Sequence, residues 1–118
     1  MSATAAQRRY WLQVAALGCV VCGGPAEIAH CHGGSIVERL QEPKAKGKKL
    51  TRMNWLVLPI CPYHHRTGAE SLDVCQSCWE LVHGTQASHI DKLCERFGLD
   101  LWTLARGSKQ TIQVEKRA

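Results

Sequence analysis

Two C-x2-C pairs, Cys19/Cys22 and Cys75/Cys78, within a set of seven cysteines constrain this chain more than any other feature. The two-residue spacer lets both thiolates of a pair reach one tetrahedral ion. An odd count does not close into disulfides, and no segment resembles a signal peptide, since the N-terminal run carries Arg8 and Arg9 inside a helical pattern. The chain therefore reads as cytoplasmic, where paired cysteines hold zinc more often than they oxidise. With 118 residues, among them four Trp, two Tyr and one Phe, it has room for one domain and a modest core that a bound ion would stabilise. The apolar runs are too short to cross a bilayer, so no membrane partner is expected.

Periodicity places the elements. Trp11, Val14, Ala15 and Leu17 fit one face of a helix over 4–17, stopped by Gly18. Residues 19–24 read as a knuckle whose turn uses Gly23, Gly24 and Pro25, and 26–31 read as extended. The stretch 33–52 contains Gly33, Gly34, Pro43, Gly47 and most of the lysines, and reads as a long loop. A strand over 55–60 (WLVLPI) closes at Pro59. An insert-like piece, ESLDVCQSCWELVHG, precedes a helix begun by Ser88, with Asp91 at capping-box spacing. Ile90, Leu93, Cys94 and Phe97 form the buried face of that helix, and Gly98 ends it. Asp100 caps a further short helix through Ala105, ahead of a polar tail over 107–118. The tryptophans read as core or shell and not as base-stacking platforms.

Six histidines would say little if scattered, because a single His is most often a satisfied or surface residue. Four of them, however, fall in two tight groups at strand ends, His30-Cys31-His32 and His64-His65. Neutral imidazoles in such groups serve as metal ligands and general bases. A net charge of +5 adds a second clue, because Arg39, Lys44, Lys46, Lys48, Lys49 and Arg52 crowd into 39–52, where Glu42 is the sole acid. Polyanions are the natural partner for such a segment, although a solvated basic loop gives the same composition.

The runs CVVCGGPAEIAHCHGG and MNWLVLPICPYHHRTG, with VHG ahead of an amphipathic helix ending in FG, are similar to HNH nucleases of the phage recombination-enhancement type over about residues 9–104. The resemblance implies an α+β fold with a ββα-metal (HNH) core, in which 1–106 form the nuclease domain: an N-terminal helix (1–18), a zinc-stapled core (19–98) and C-terminal helices. It also implies a divalent-metal-dependent DNA endonuclease, phage or prophage encoded, with a recombinase as partner by family analogy. Carried over residue by residue, His30 becomes the general base, Asn54 the prop of the hairpin and His65 a ligand of Mg2+ or another divalent ion. His83 is the second ligand, with His89 or His32 as alternatives. Where many members carry Asp or His just before the base, this chain has Ala29, which leaves His32 or Glu27 to substitute. Arg66, Lys44, Lys46, Lys48, Lys49 and Arg52 would hold flanking phosphates. The residue types suit the chemistry, because phosphodiester hydrolysis needs a water to lose a proton and a leaving oxygen to gain charge.

A structural zinc is expected on Cys19 and Cys22. Cys75 and Cys78 complete it in the preferred reading, since a four-thiolate site would order the insert. Cys61 and His64 are the alternative, at the place where related nucleases carry a second C-x2-C. Cys31 and Cys94 read as core thiols. Two rivals from other classes remain: a zinc-ribbon module that binds DNA without cutting it, and a zinc scaffold that binds proteins.

Overall fold

The computed structural model describes residues 3–41 and 51–107. Helix α1 (Ala5–Ala15) starts at a full capping box, with Thr4 accepting from the Gln7 N–H while the Gln7 side chain accepts from the Thr4 N–H. Its inward face is Gln7, Tyr10 and Val14, so a glutamine occupies a position of the apolar stripe. The chain then turns through the knuckle, where Gly18 (φ +85°) would bring a Cβ to 2.9 Å from the Gly23 carbonyl oxygen. Strand β1 (Glu27–His30) pairs antiparallel with β2 (Val57–Ile60), Glu27 opposite Ile60 and His30 opposite Val57. All four residues of β2 are buried, because helices cover the strand that β1 leaves open. Pro59 sits inside β2 opposite Ile28 and does not close it. A two-stranded sheet has a free edge on which a missing N–H costs nothing, and the Pro59 carbonyl accepts from Val20 of the knuckle.

Between the strands lies α2 (Gly34–Leu40), so part of the stretch expected as loop is helical. Its buried Ile36 joins the core, and Arg39 makes a two-pronged ion pair with Asp91 while stacking on Trp102 at 4.7 Å. Those contacts supply what the glycine-rich sequence does not, namely a reason to stay helical. Lys44, Lys46, Lys48 and Lys49 lie outside the described residues, as does the tail beyond Gly107. A short 3-10 turn (Met53–Trp55) leads into β2, and a π-helical turn (Tyr63–Thr67) follows it.

The piece expected as an insert contains α3 (Gln76–His83), whose Trp79 is fully buried. Helix α4 (Gln86–Phe97) begins two residues before the expected Ser88, because the Thr85 side chain accepts from the Ser88 N–H and takes the capping position. Ile90 and Leu93 are buried on it, Cys94 and Phe97 pack beside them, and Gly98 ends it at φ +65°. Helix α5 (Leu101–Arg106) starts where Asp100 accepts from the Thr103 N–H, as its sequence suggested. The result is a small α+β unit. Among the described residues no helix is long and apolar enough to cross a membrane.

Candidate active site and metal centre

The knuckle and the end of β2 meet at a cluster of sulfurs and one imidazole. Ligand atoms of Cys19, Cys22, Cys61 and His64 all lie within 4.8 Å of one another. The Cys22 and Cys61 sulfurs are 3.8 Å apart, and Cys61 Sγ lies 3.1 Å from His64 Nδ1. A tetrahedral zinc with sulfur at about 2.3 Å would separate its sulfurs by about 3.8 Å. This cluster could therefore bind zinc. Burial pushes the Cys19 thiol up, but the backbone N–H groups of Cys61, Cys22 and Val21 outweigh it and hold the group below its usual range, whereas the neighbouring Cys22 thiol is raised.

The preferred second pair of the sequence reading, Cys75 and Cys78, is not in this cluster. The two form a disulfide across the first turn of α3, with their Cα atoms 5.2 Å apart. The reason is positional: Val20 pairs with Pro59 and draws the end of β2, hence Cys61 and the turn bearing His64, onto the knuckle. Cys31 is a core thiol that burial pushes up, and Cys94 is half-buried and likewise raised by burial.

At the other end of the hairpin, His30 is exposed and touches two neighbours. Its Nε2 lies 3.0 Å from Asn54 Oδ1, and the Trp11 ring meets it edge-on at 5.3 Å. The proton on this pair can be assigned. Gln7 donates through Nε2 to the Thr51 carbonyl and accepts through Oε1 from the Thr4 N–H, so its amide is fixed by backbone at both ends. The Asn54 atom facing Gln7 Oε1 at 3.4 Å must then be the nitrogen, and Oδ1 faces His30. An amide oxygen only accepts, so Nε2 of His30 is the donor, and in the neutral ring Nδ1 keeps a lone pair that meets no partner among the described residues. Trp11 also donates to the Asn54 carbonyl at 2.8 Å, tying α1 to the same turn.

His65 lies elsewhere. Its Nδ1 faces Glu27, and its Nε2 is 3.5 Å from Asp73 Oδ2. Arg66 forks onto the same Glu27 carboxylate at 2.7 and 3.2 Å and holds it below the usual range, with His65 helping against partial burial. The contacts of His30 and of His65 have no residue in common. Glu27 and His30 are three residues apart on β1, or about 10 Å along the strand. His83 and His89 pack instead against Trp79, and His89 donates through Nε2 to the His83 carbonyl at 2.7 Å. His83 also faces His64 at 5.7 Å, and burial, followed by the charges of those two histidines, holds it below its usual value. Arg52 reaches the Ala105 carbonyl at 3.4 Å.

Residues 3–110, nearly the whole chain, match the family described as recombination enhancement, RecA-dependent nuclease. The chain belongs to the RecA-dependent nuclease family. Membership gives it a nuclease role in recombination and points to DNA as substrate and to a link with RecA. Comparison with curated proteins and with solved structures returns no match. For a RecA-dependent nuclease, the sequence reading overlooked the buried glutamines that orient the site. Gln7 and Gln86 are 2% and 0% exposed, and a polar residue on an otherwise apolar helical face was the signal available.

Proposed function

We propose that the chain is a divalent-metal-dependent endonuclease of the HNH (ββα-metal) type that hydrolyses DNA phosphodiester bonds. The observation that carries this reading is the contact of His30 Nε2 with Asn54 Oδ1 at 3.0 Å, from which the proton position follows. With Nε2–H given to Asn54, the neutral Nδ1 is the atom free to take a proton from an attacking water. His30 is the base in this reading and Asn54 its positioning residue. Residues 1–106 make up the nuclease domain, and 19–98 its core.

Two metal roles belong to the proposal. A structural zinc on Cys19, Cys22, Cys61 and His64 staples the knuckle to β2. A second ion, Mg2+ or another divalent, would neutralise charge on the phosphate. His65 is the ligand proposed for it; Glu27 lies at its Nδ1 and Asp73 near its Nε2, so only one of the two carboxylates can share an ion with the ring. His83 is kept as the second candidate ligand, while His89 gives its Nε2–H to the His83 carbonyl. Arg66, Arg52 and Lys44, Lys46, Lys48 and Lys49 are the candidate contacts to flanking phosphates, and RecA is the partner the family description brings in.

The test is cleavage of supercoiled plasmid across divalent ions, with and without chelator. His30→Ala is expected to lower the rate by about 10²–10⁴-fold while DNA affinity stays the same. Undiminished cleavage rejects His30 as base. Tight, salt-dependent DNA binding with no cleavage under any ion favours a zinc-ribbon binding module instead.

A further inference from the structure

We propose that His32 is a phosphate-binding residue of the nuclease site: a neutral imidazole whose Nε2–H, oriented by Gln76, donates to a non-bridging oxygen of the phosphodiester beside His30. The proposal rests on the nuclease reading above.

Burial alternates along Ala29 (buried), His30 (exposed), Cys31 (buried) and His32 (exposed), and the Cys31 N–H still donates to Leu56 at 2.9 Å. The extended ladder therefore runs past the end of β1, and the two imidazoles leave the same face. Residues two apart on a strand are separated by about 7 Å, a gap that a phosphate with its attacking water fills.

The proton on His32 can be assigned as it was on His30. Gln76 donates from Nε2 to the His32 carbonyl, which can only accept, so the amide atom there is the nitrogen. The same nitrogen lies 3.3 Å from His32 Nδ1. Nδ1 is then an acceptor, and the proton sits on Nε2, which has no hydrogen-bond partner among the described residues. The two histidines thus present opposite chemistry: a free acceptor at His30 Nδ1 and a free donor at His32 Nε2–H. In this tautomer His32 offers a donor and not a metal ligand, so the phosphate role and the alternative-ligand role of the sequence predict different responses to the divalent ion.

The surroundings hold this arrangement in place. Gln86, fully buried, accepts from the His32 N–H at 3.2 Å and donates to its carbonyl at 3.0 Å. Gly33 (φ +64°) lets α3 approach, since a Cβ there would stand 2.7 Å from Gln76 Oε1. A donor fixed before the substrate arrives needs no reorganisation as charge develops on the phosphate.

The experiment combines kinetics with imidazole nitrogen NMR. His32→Ala should lower kcat by about 100-fold, and His32→Gln, which returns an N–H near the Nε2 position, should recover at least about tenfold of it. The ion concentration giving half-maximal rate should not move. Rates within about twofold of wild type in both variants would overturn the proposal, as would a loss rescued by raising the divalent ion, the mark of a ligand. In the NMR arm the wild-type ring should show the Nε2–H form, lost or mixed in Gln76→Leu, and a short DNA duplex should shift the His32 Nε2 resonance. That shift is expected even of a protein that proves unable to cut, so a failure of the nuclease reading is read separately. A ring protonated on Nδ1, or a resonance indifferent to DNA, overturns the assignment.

Discussion

The side-chain amide of Gln86 meets the backbone of His32 as a neighbouring strand would, accepting from its N–H and donating to its carbonyl. One buried glutamine thus extends the sheet where, among the described residues, no third strand stands. Gln86→Leu keeps the volume and removes both bonds, which leaves the His32 N–H without its partner while the carbonyl keeps its bond from Gln76. A loss of about 2 kcal/mol is expected from urea unfolding, and an unchanged midpoint would contradict it.

Asn54 holds the base, and its own orientation passes through Gln7 to the start of α1. In Asn54→Ala the His30 ring loses the contact that fixes its proton on Nε2. Plasmid cleavage should fall by about 100-fold or more with DNA affinity little changed. A gel-shift assay beside the rate measurement separates the two. Activity near wild type would mean that Asn54 serves the fold alone.

Zinc content distinguishes the two cysteine arrangements. One ion per chain is expected, and mutating both Cys75 and Cys78 to Ser should leave it bound. Cys61→Ser should instead release the ion and lower the melting temperature, as should a strong chelator, because ligand binding and folding are one equilibrium in small zinc units. Retention of zinc in Cys61→Ser together with loss in the double variant would restore the four-thiolate reading.

Glu80 links pH to stability. Burial alone pushes its carboxyl up, but donation from Ser35 and from the Gln86 backbone and side chain more than offsets this, and the group lies below its usual value. Stability from such a carboxylate is full above about pH 5 and is lost as pH falls through the lowered folded value. Glu80→Ala should therefore cost about 1–2 kcal/mol near neutral pH, discounted for partial exposure, and less at pH 3. A cost that does not shrink on acidification would show that Glu80 contributes through packing.

Helices with strong caps and periodic faces were legible. Gly98 and Asp100 act where local chemistry put them, and Ile90 and Leu93 are buried as their spacing implied. Helix α2 was not legible, since Gly33 and Gly34 signal a turn and the helix depends on Arg39 reaching Asp91, 52 residues away in sequence. Spacing likewise favoured Cys75/Cys78 as zinc ligands because a C-x2-C pair reads the same whether it faces an ion or closes on itself.

The sequence by itself determined the inventory: a knuckle at Cys19 and Cys22, a short hairpin, histidines at strand ends, and membership of a nuclease family. These are local or near-local properties, fixed by turn chemistry, periodicity and spacing. Tertiary structure alone decided which second pair faces the knuckle, which carboxylates flank His65, and where the protons sit on His30 and His32. Apart from Asp73, which is near His65 in sequence, each of those depends on contacts between residues 24 to 54 positions apart. Only the folding of α3 and α4 onto the hairpin brings Gln76 and Gln86 within hydrogen-bonding distance of His32, and that of α1 brings Gln7 to Asn54, the partner of His30.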